Sequence, residues 1–342
     1  MNWIDFLQEQ GARRDMRDFG DLAGELESAR ASTIIAPLTD LGVISVAGED
    51  AVSFLHNLLT NDIKGLGTDS ACLGGLCTPK GRLLATMLIW PGEQGLRLAL
   101  SADLMAAVQK KLSMYVLRSK VQLQDASEQD LLLGLSGPKA ALALSGLGAE
   151  ITKAPKLGRF AGGTSIPLGG DRYVLAISPE SAEKTWRQLT AIARPTGITA
   201  WHWLEIVAGI PRVTAATQEE FVPQMLNYEL VGGVSFSKGC YPGQEIVARS
   251  QHLGKIKRHM YRLRADAAGD ELIPGAALFS AATEDQSCGT IVQAAPSPFG
   301  GVEALAVLQS NCFAAGDVHL GSSHGPALRF LPLPYDSAPP DS

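Results

Sequence analysis

The run Lys238-Gly239-Cys240-Tyr241-Pro242-Gly243-Gln244-Glu245 gathers a cation, a thiol, a phenol, an amide and a carboxylate around two glycines. A thiol acts as a nucleophile only as the thiolate. A neighbouring ammonium or the free N–H groups of a helix N-terminus favour that form. Lys238 offers the first, and a helix over 244–251 would offer the second, with Pro242 in its first turn where no N–H is needed. The preceding Val234-Ser235-Phe236-Ser237 alternates as a strand does, so Cys240 is expected where a strand turns into a helix. Two other readings stand beside this one. The glycines could simply punctuate a turn around a space-filling cysteine. Alternatively, Cys240 could pair with His252 or His259 as a thiol nucleophile, an arrangement that spacing alone does not establish.

A second constellation is Trp201-His202-Trp203-Leu204-Glu205. On a helix, Trp201 and Glu205 share a face, which sets an aromatic platform beside a carboxylate. Flat heteroaromatic ligands use such a pair, with stacking on the ring and acceptance from an amino-pyrimidine edge. Tryptophans that merely fill a core are the competing explanation. The six histidines and five cysteines show no His-x-x-x-His or Cys-x-x-Cys spacing, so no metal site is expected.

The elements that must hold these groups follow from periodicity. Strands are expected at 33–37 and 42–47, then a helix from Gly48 carrying Val52, Leu55 and Leu59 on one face. Two strands flank the Pro/Gly turn at Thr78-Pro79-Lys80-Gly81 within 72–90, and another lies at 96–100. Ser101 is placed to cap a helix whose buried face is Leu104, Val108, Leu112 and Tyr115. Strands at 120–124 and 131–135, a short helix to Gly146, two or three strands over 151–177 and a helix opened by Ser178-Pro179 complete the middle of the chain. A helix over 200–211 carries the tryptophans. Beyond residue 255, short apolar runs separated by Gly, Pro and Asp turns read as an antiparallel barrel. This alternation argues α+β sheets with helices to one side, not a regularly wound parallel sheet.

At 342 residues the chain should form two or three domains. Five cysteines cannot all pair, and no apolar span or signal sequence is read, so a reduced, cytoplasmic setting away from membranes is expected. Net charge is −6, yet seven Lys/Arg face one acid between Lys238 and Arg264. That local excess suits an anion on a surface that otherwise repels nucleic acid, although lysines and arginines also protect strand edges.

The stretches Trp201 to Pro211, Phe221-Val222-Pro223-Gln224-Met225-Leu226-Asn227, Gly232 to Glu245 and Lys257-Arg258 closely resemble the YgfZ family, relatives of the glycine-cleavage T protein. Phe54-Leu55, Leu59-Thr60-Asn61-Asp62, Lys80-Gly81-Arg82, Arg118-Ser119-Lys120-Val121 and Leu333-Pro334-Tyr335 extend the resemblance from about Pro37 to Tyr335. It implies a ring of two α+β domains and a C-terminal antiparallel β-barrel around a central ligand hole. The expected boundaries are 1–130 (completed by part of 195–252), 131–252 and 253–334, with a disordered tail at 335–342. The resemblance also implies tetrahydrofolate or a derivative as ligand, with Trp201, Trp203, Glu205, Tyr241, Gln244, Glu245 and Arg249 near it. Leu41 stands where the family has a second tryptophan, which removes one stacking contact. Cys240, with Lys238, falls on the family's functional cysteine motif, whose chemistry is sulfur or iron handling. Members support maturation or repair of iron–sulfur enzymes such as tRNA methylthiotransferases. Direct nucleic-acid binding is not expected. In the aminomethyltransferases an aspartate acts at the folate amine, but the matching positions here are Ala85 and Thr86, neither of which can exchange a proton there. Folate binding without glycine cleavage is therefore the expectation. One-carbon transfer to another amine and a scaffold with structural folate are the alternatives.

Overall fold

A computed structural model describes residues 2–252, 256–266, 271–283 and 286–335. Lys255, the side chain of His252 and the tail beyond Tyr335 lie outside the described residues. The chain divides into two compact units. The first comprises Met1–Phe54, Ile63–Cys72 and Leu88–Trp201; the second comprises Leu55–Asp62, Leu73–Met87 and His202–Ser342.

In the first unit a six-stranded sheet runs in the order Arg194–Pro195, Ile34–Pro37, Leu131–Ser136, Arg172–Ile177, Gly163–Gly169, Gly158–Phe160. Its pairings are antiparallel except for the short edge contact of Ile34–Pro37 with Arg194–Pro195. Strand alternation sends Leu133 and Leu135 to a core shared with Phe6, Leu7, Trp186 and Leu189. The helices Trp3–Glu9 and Pro179–Thr190 supply those partners. Gly134 points the other way, against Trp201. A Cβ there would lie 2.4 Å from the indole, so only glycine lets the ring close on the strand. Elsewhere in the unit, Leu41–Ala47 pairs with Gly95–Ser101 on one side and Gln122–Asp125 on the other. The helix Ala102–Ser113 buries Leu104, Val108 and Leu112 as their spacing requires. Ser101 holds the expected N-cap position without a side-chain capping bond.

The second unit contains the end of the helix Ala51–His56, the hairpin around Thr78-Pro79-Lys80-Gly81 and a 3-10 turn at Pro223–Leu226. It also contains the helix Gln244–His252 and a second six-stranded sheet. That sheet is antiparallel throughout, in the order His319–Leu320, Ala277–Phe279, Ser287–Pro296, Val302–Gln309, Arg258–Ala265, Arg329–Leu331. Leu263, Leu278, Ile291, Ala306 and Leu308 fill its buried face.

Two local expectations need correction. Residues 234–237 form no strand: the Ser235 N–H goes to the carbonyl of Thr60 in a turn, 3.0 Å away, and no ladder continues from it. Burial does not alternate there either: Val234 is buried, whereas Phe236 and Ser237 face solvent. Pro242 does not open the helix, which starts at Gln244. Gly243 intervenes at φ 83°, a left-handed conformation that cannot be the first residue of a right-handed helix. No helix among the described residues is long and apolar enough to cross a membrane.

Candidate functional site

The 238–245 loop is fixed at its first residue. Lys238 is 8% exposed, and its Nζ donates to the carbonyls of His56 and, at 2.6 Å, of Leu59. These carbonyls close the helix Ala51–His56 and the turn after it, where unpaired acceptors and the negative helix end favour a cation. The same ammonium lies 4.8 Å from the centre of the Tyr241 ring. Farther along the loop, a Cβ on Gly243 would come within 2.4 Å of the Thr78 carbonyl, so the chain packs backbone to backbone on the 78–81 turn.

A hydrogen-bond web holds the surrounding backbone. Thr60 Oγ1 donates to the Gly233 carbonyl at 2.6 Å and accepts from the Gly75 N–H at 2.8 Å. Asn61 Nδ2 donates to the carbonyls of Leu73 and Gly232, each at 2.7 Å. Tyr228 reaches the Gly74 carbonyl with its hydroxyl at 2.9 Å. The Thr-Asn pair and the two Gly-Gly pairs are thus parts of one joint.

Cys240 itself is exposed, and none of the five cysteines is in a disulfide. Tyr241 beside it is buried; burial, with the Cys77 thiol behind it, raises its phenol so that it stays protonated. Burial also pushes the Cys77 thiol up to about 12. Gln244 is half-buried and donates at 3.5 Å to the Lys238 carbonyl, which ties the helix start back to the loop. Glu245 and Arg249 lie four residues apart on the helix Gln244–His252, so the two side chains share one of its faces.

The histidine brought against this loop is His56, which sequence reasoning left unassigned. Its Nδ1 lies 3.1 Å from Asp62 Oδ1. A Cβ on Gly239 would be 3.9 Å from its Nε2. The signal for it was the short separation of a histidine and an aspartate inside the matched block around Leu59-Thr60-Asn61-Asp62. His259 is turned to the Ile256 carbonyl at 3.1 Å, and burial lowers its ring.

A second cluster forms around Glu205. Arg212 Nη2 donates to both of its carboxylate oxygens, at 2.8 and 2.7 Å. Gln293 accepts from the Arg212 N–H at 2.7 Å and donates to Glu205 at 3.5 Å. Arg212 and Gln293 were invisible to motif reading, because one lies past the helix end and the other in the C-terminal sheet. Trp203 is 5% exposed, and its buried Nε1 has no acceptor. A buried donor without a partner costs about 1–3 kcal/mol, which an acceptor on a ligand would recover. This orphaned indole, together with the arginine–glutamate pair, fits a heteroaromatic ligand carrying both donors and acceptors.

The remaining named positions fall as follows. Trp201 is completely buried over Gly134, in the first unit. Leu41 opens its strand there, half-buried and paired with Ser101. Ala85 is fully buried, and Thr86 accepts from the Val213 N–H at 3.0 Å. The basic segment is partly neutralised: Arg262 binds the fully buried Glu303, and Arg264 lies 3.3 Å from Asp266. Lys257 and Arg258 stay exposed. No group of three His, Cys, Asp or Glu among the described residues could hold a metal.

Comparison with known proteins adds to this geometry. The family described as the GCVT N-terminal domain matches residues 6–166. The tRNA-modifying protein YgfZ of Photobacterium profundum is 30% identical over 301 residues, covering 87% of this chain and 90% of that protein. Its namesake from Yersinia pestis is 29% identical over 309 residues, covering 88% and 92%. The crystal structure of glycine cleavage system aminomethyltransferase T from Bartonella henselae superposes with a TM-score of 0.69 at 19% identity, over 97% of this chain and 96% of the other. That last likeness is one of fold.

Proposed function

This chain belongs to the YgfZ family of tRNA-modifying proteins, and from that premise we propose that it is a folate-binding accessory protein. It supports maturation or repair of iron–sulfur enzymes, and through clients such as tRNA methylthiotransferases it supports tRNA methylthiolation. Cys240 is its reactive thiol. The observation that carries the ligand reading is the buried Trp203 indole N–H without an acceptor, two residues from the Glu205–Arg212 pair.

In this reading Trp203 donates to an acceptor atom of a tetrahydrofolate-type ligand. Glu205 and Arg212 present fixed charges to its polar edge, and Trp201 anchors the helix Ile198–Val207 that carries Trp203 and Glu205. A reduced folate would supply a nitrogen able to carry a one-carbon unit. The protein lacks a carboxylate at Ala85 and Thr86 to work on that nitrogen, which favours binding over turnover. A one-carbon transferase acting on another amine is the second reading, favoured only by the shared fold.

Calorimetric titration of tetrahydrofolate and its formyl and methyl forms tests the proposal. Trp203→Phe keeps an aromatic ring but deletes the N–H together with the rest of the pyrrole, so the affinity for the preferred form should fall by roughly tenfold or more. If none of the three folates binds the parent protein, or if Trp203→Phe binds as tightly as the parent, the ligand reading is wrong. Turnover of methyl-folate with an amine donor would overturn the accessory reading in favour of the enzyme.

A further inference from the structure

His319 belongs to neither candidate cluster. It opens the two-residue strand His319–Leu320, which lies at one end of the C-terminal sheet. Two residue pairs, Leu278 with Leu320 and Phe279 with His319, join that strand to Ala277–Phe279. One further bond runs from the Gly321 N–H to the Ala277 carbonyl, at 3.3 Å. A strand contact this short is marginal by itself, so side chains decide whether it persists. The His319 side chain is 19% exposed, and both of its ring nitrogens face oxygen. Nε2 lies 2.6 Å from Asp317 Oδ1, and Nδ1 lies 2.9 Å from the Gly325 carbonyl. Asp317 Oδ2 in turn accepts from the Ala281 N–H at 3.1 Å. One ring therefore ties the outer strand to the 321–325 loop on one side and, through Asp317, to the Ala281–Thr283 turn on the other.

A neutral imidazole has one N–H, so it satisfies one of these oxygens and sets a lone pair against the other. An imidazolium donates to both. The two acceptors thus select the charged ring, whichever tautomer the neutral ring would take. We propose that His319 is a pH-sensitive latch of the C-terminal sheet, whose imidazolium fastens the outer strand and the 321–325 loop and whose deprotonation releases them. The Gly325 carbonyl first, and then the Asp317 carboxylate, raise the ring above its ordinary value of 6.5, while partial burial opposes the charge. The folded latch therefore binds this proton more tightly than an opened one does. Its contribution is complete below about 6.5 and is lost as pH rises through the raised value. Other titratable groups on the adjoining elements do not compete. The Ala281 N–H, and then His319, lower Asp317, which stays a carboxylate throughout. Among the described residues, Ala277–Phe279, Ala281–Thr283 and 326–328 carry no charged side chain, and His324 is exposed in the loop. Cys288 and Cys312 share the buried cluster of Leu320, and burial pushes Cys288 up to about 12. Release would uncover the Ala277–Phe279 edge, whose Leu278 is fully buried in the latched state.

The test pairs two measurements on the full chain without added ligand, from mildly acid to alkaline pH. NMR follows the titration of the His319 ring, assigned by the signal that His319→Gln lacks. Hydrogen exchange read by mass spectrometry on peptides covering 316–328 gives the protection of the latched segment, corrected for the intrinsic pH dependence of exchange. The ring should titrate above 6.5. Protection of the segment should fall as pH passes that midpoint, by roughly tenfold for each unit of elevation, because the bound proton and the closed latch are linked. Asp317→Asn keeps an acceptor for the Ala281 N–H but offers the ring an amide donor in place of the carboxylate. It should move the midpoint back towards the ordinary value and shrink the loss of protection in step. A midpoint at or below 6.5, or protection that stays level while the ring titrates, overturns the inference. If His319→Gln does not fold, the signal displaced in Asp317→Asn supplies the assignment, and the same two outcomes decide. Neither readout depends on folate binding or on Cys240, so the latch stands or falls apart from the proposed function.

Discussion

Replacing Lys238 with methionine removes one ammonium and keeps most of the aliphatic stem, so the experiment isolates the charge. In the parent, that ammonium donates to the carbonyls of His56 and Leu59 and lies over the Tyr241 ring. A hydrogen bond from a charged donor contributes about 1.5–3 kcal/mol, and a buried acceptor left without a donor bears its desolvation cost. The lost cation–π contact adds about 1 kcal/mol at a site this sheltered. Against these, methionine avoids the cost of burying a charge, which offsets part of the loss. The net expectation is a destabilisation of about 3 kcal/mol, since only 8% of the residue is exposed and water cannot readily replace the ammonium. For a unit of this size that corresponds to a midpoint lowered by about 6–12 °C. Thermal unfolding followed by circular dichroism reads it directly. Cys240 alkylation should also lose its dependence on the fold, because the loop is no longer held. Unchanged thermal stability in Lys238→Met, combined with failure to restore tRNA methylthiolation in deficient cells, would refute the capping argument and assign Lys238 to the chemistry.

Three further outcomes follow from the geometry. Gly243→Ala forces a side chain into a left-handed backbone at φ 83° and onto the Thr78 carbonyl, and should cost about 2–4 kcal/mol in denaturant unfolding. Arg212→Met strands the Glu205 carboxylate, whose side chain is only 14% exposed, and should cost about 3 kcal/mol; Glu205→Gln added to it should recover part of that loss. Burial raises Glu229 from 4.5 to about 7, and one of its oxygens is buried without a partner. The folded state therefore holds this proton more tightly than the unfolded state does. The contribution of Glu229 is complete below about 4.5 and is lost as pH rises towards about 7. Denaturant midpoints of Glu229→Gln should lack that loss, and identical pH dependence in parent and variant would show that the carboxyl is solvated.

Local periodicity carried much of the fold. Leu104, Val108 and Leu112 recur at helical spacing and are buried together, and the antiparallel texture of the C-terminal part appears as one sheet. What sequence could not carry was direction and distance. Nothing in Lys238-Gly239-Cys240 says that the lysine turns inward to carbonyls 179 and 182 residues away. The alternation at 234–237 has the period of a strand, but the partner of Ser235 is a turn, and a pattern of two cannot tell the difference. The count of cations around residues 257–264 likewise overstated the free charge. Glu303 lies opposite Arg264 in the register yet pairs with Arg262, a choice made by sheet geometry.

Burial also sorts the five thiols. Cys77 is pushed up to about 12 by its surroundings, as is Cys288, where burial and then the neighbouring Cys312 act, so both stay protonated under ordinary conditions. Cys240 alone among the five is exposed. Yet the loop that bears it is bound at Lys238, packed backbone to backbone at Gly243 and tied to its helix through Gln244. A nucleophile that works on an enclosed small substrate gains from a site that excludes water. A thiol that must meet a group on another macromolecule has the opposite requirement: it must protrude, and its loop must be rigid enough that meeting the partner does not also require ordering the chain. The 238–245 loop is exposed at Cys240 and held on both sides of it, as the proposed accessory role requires.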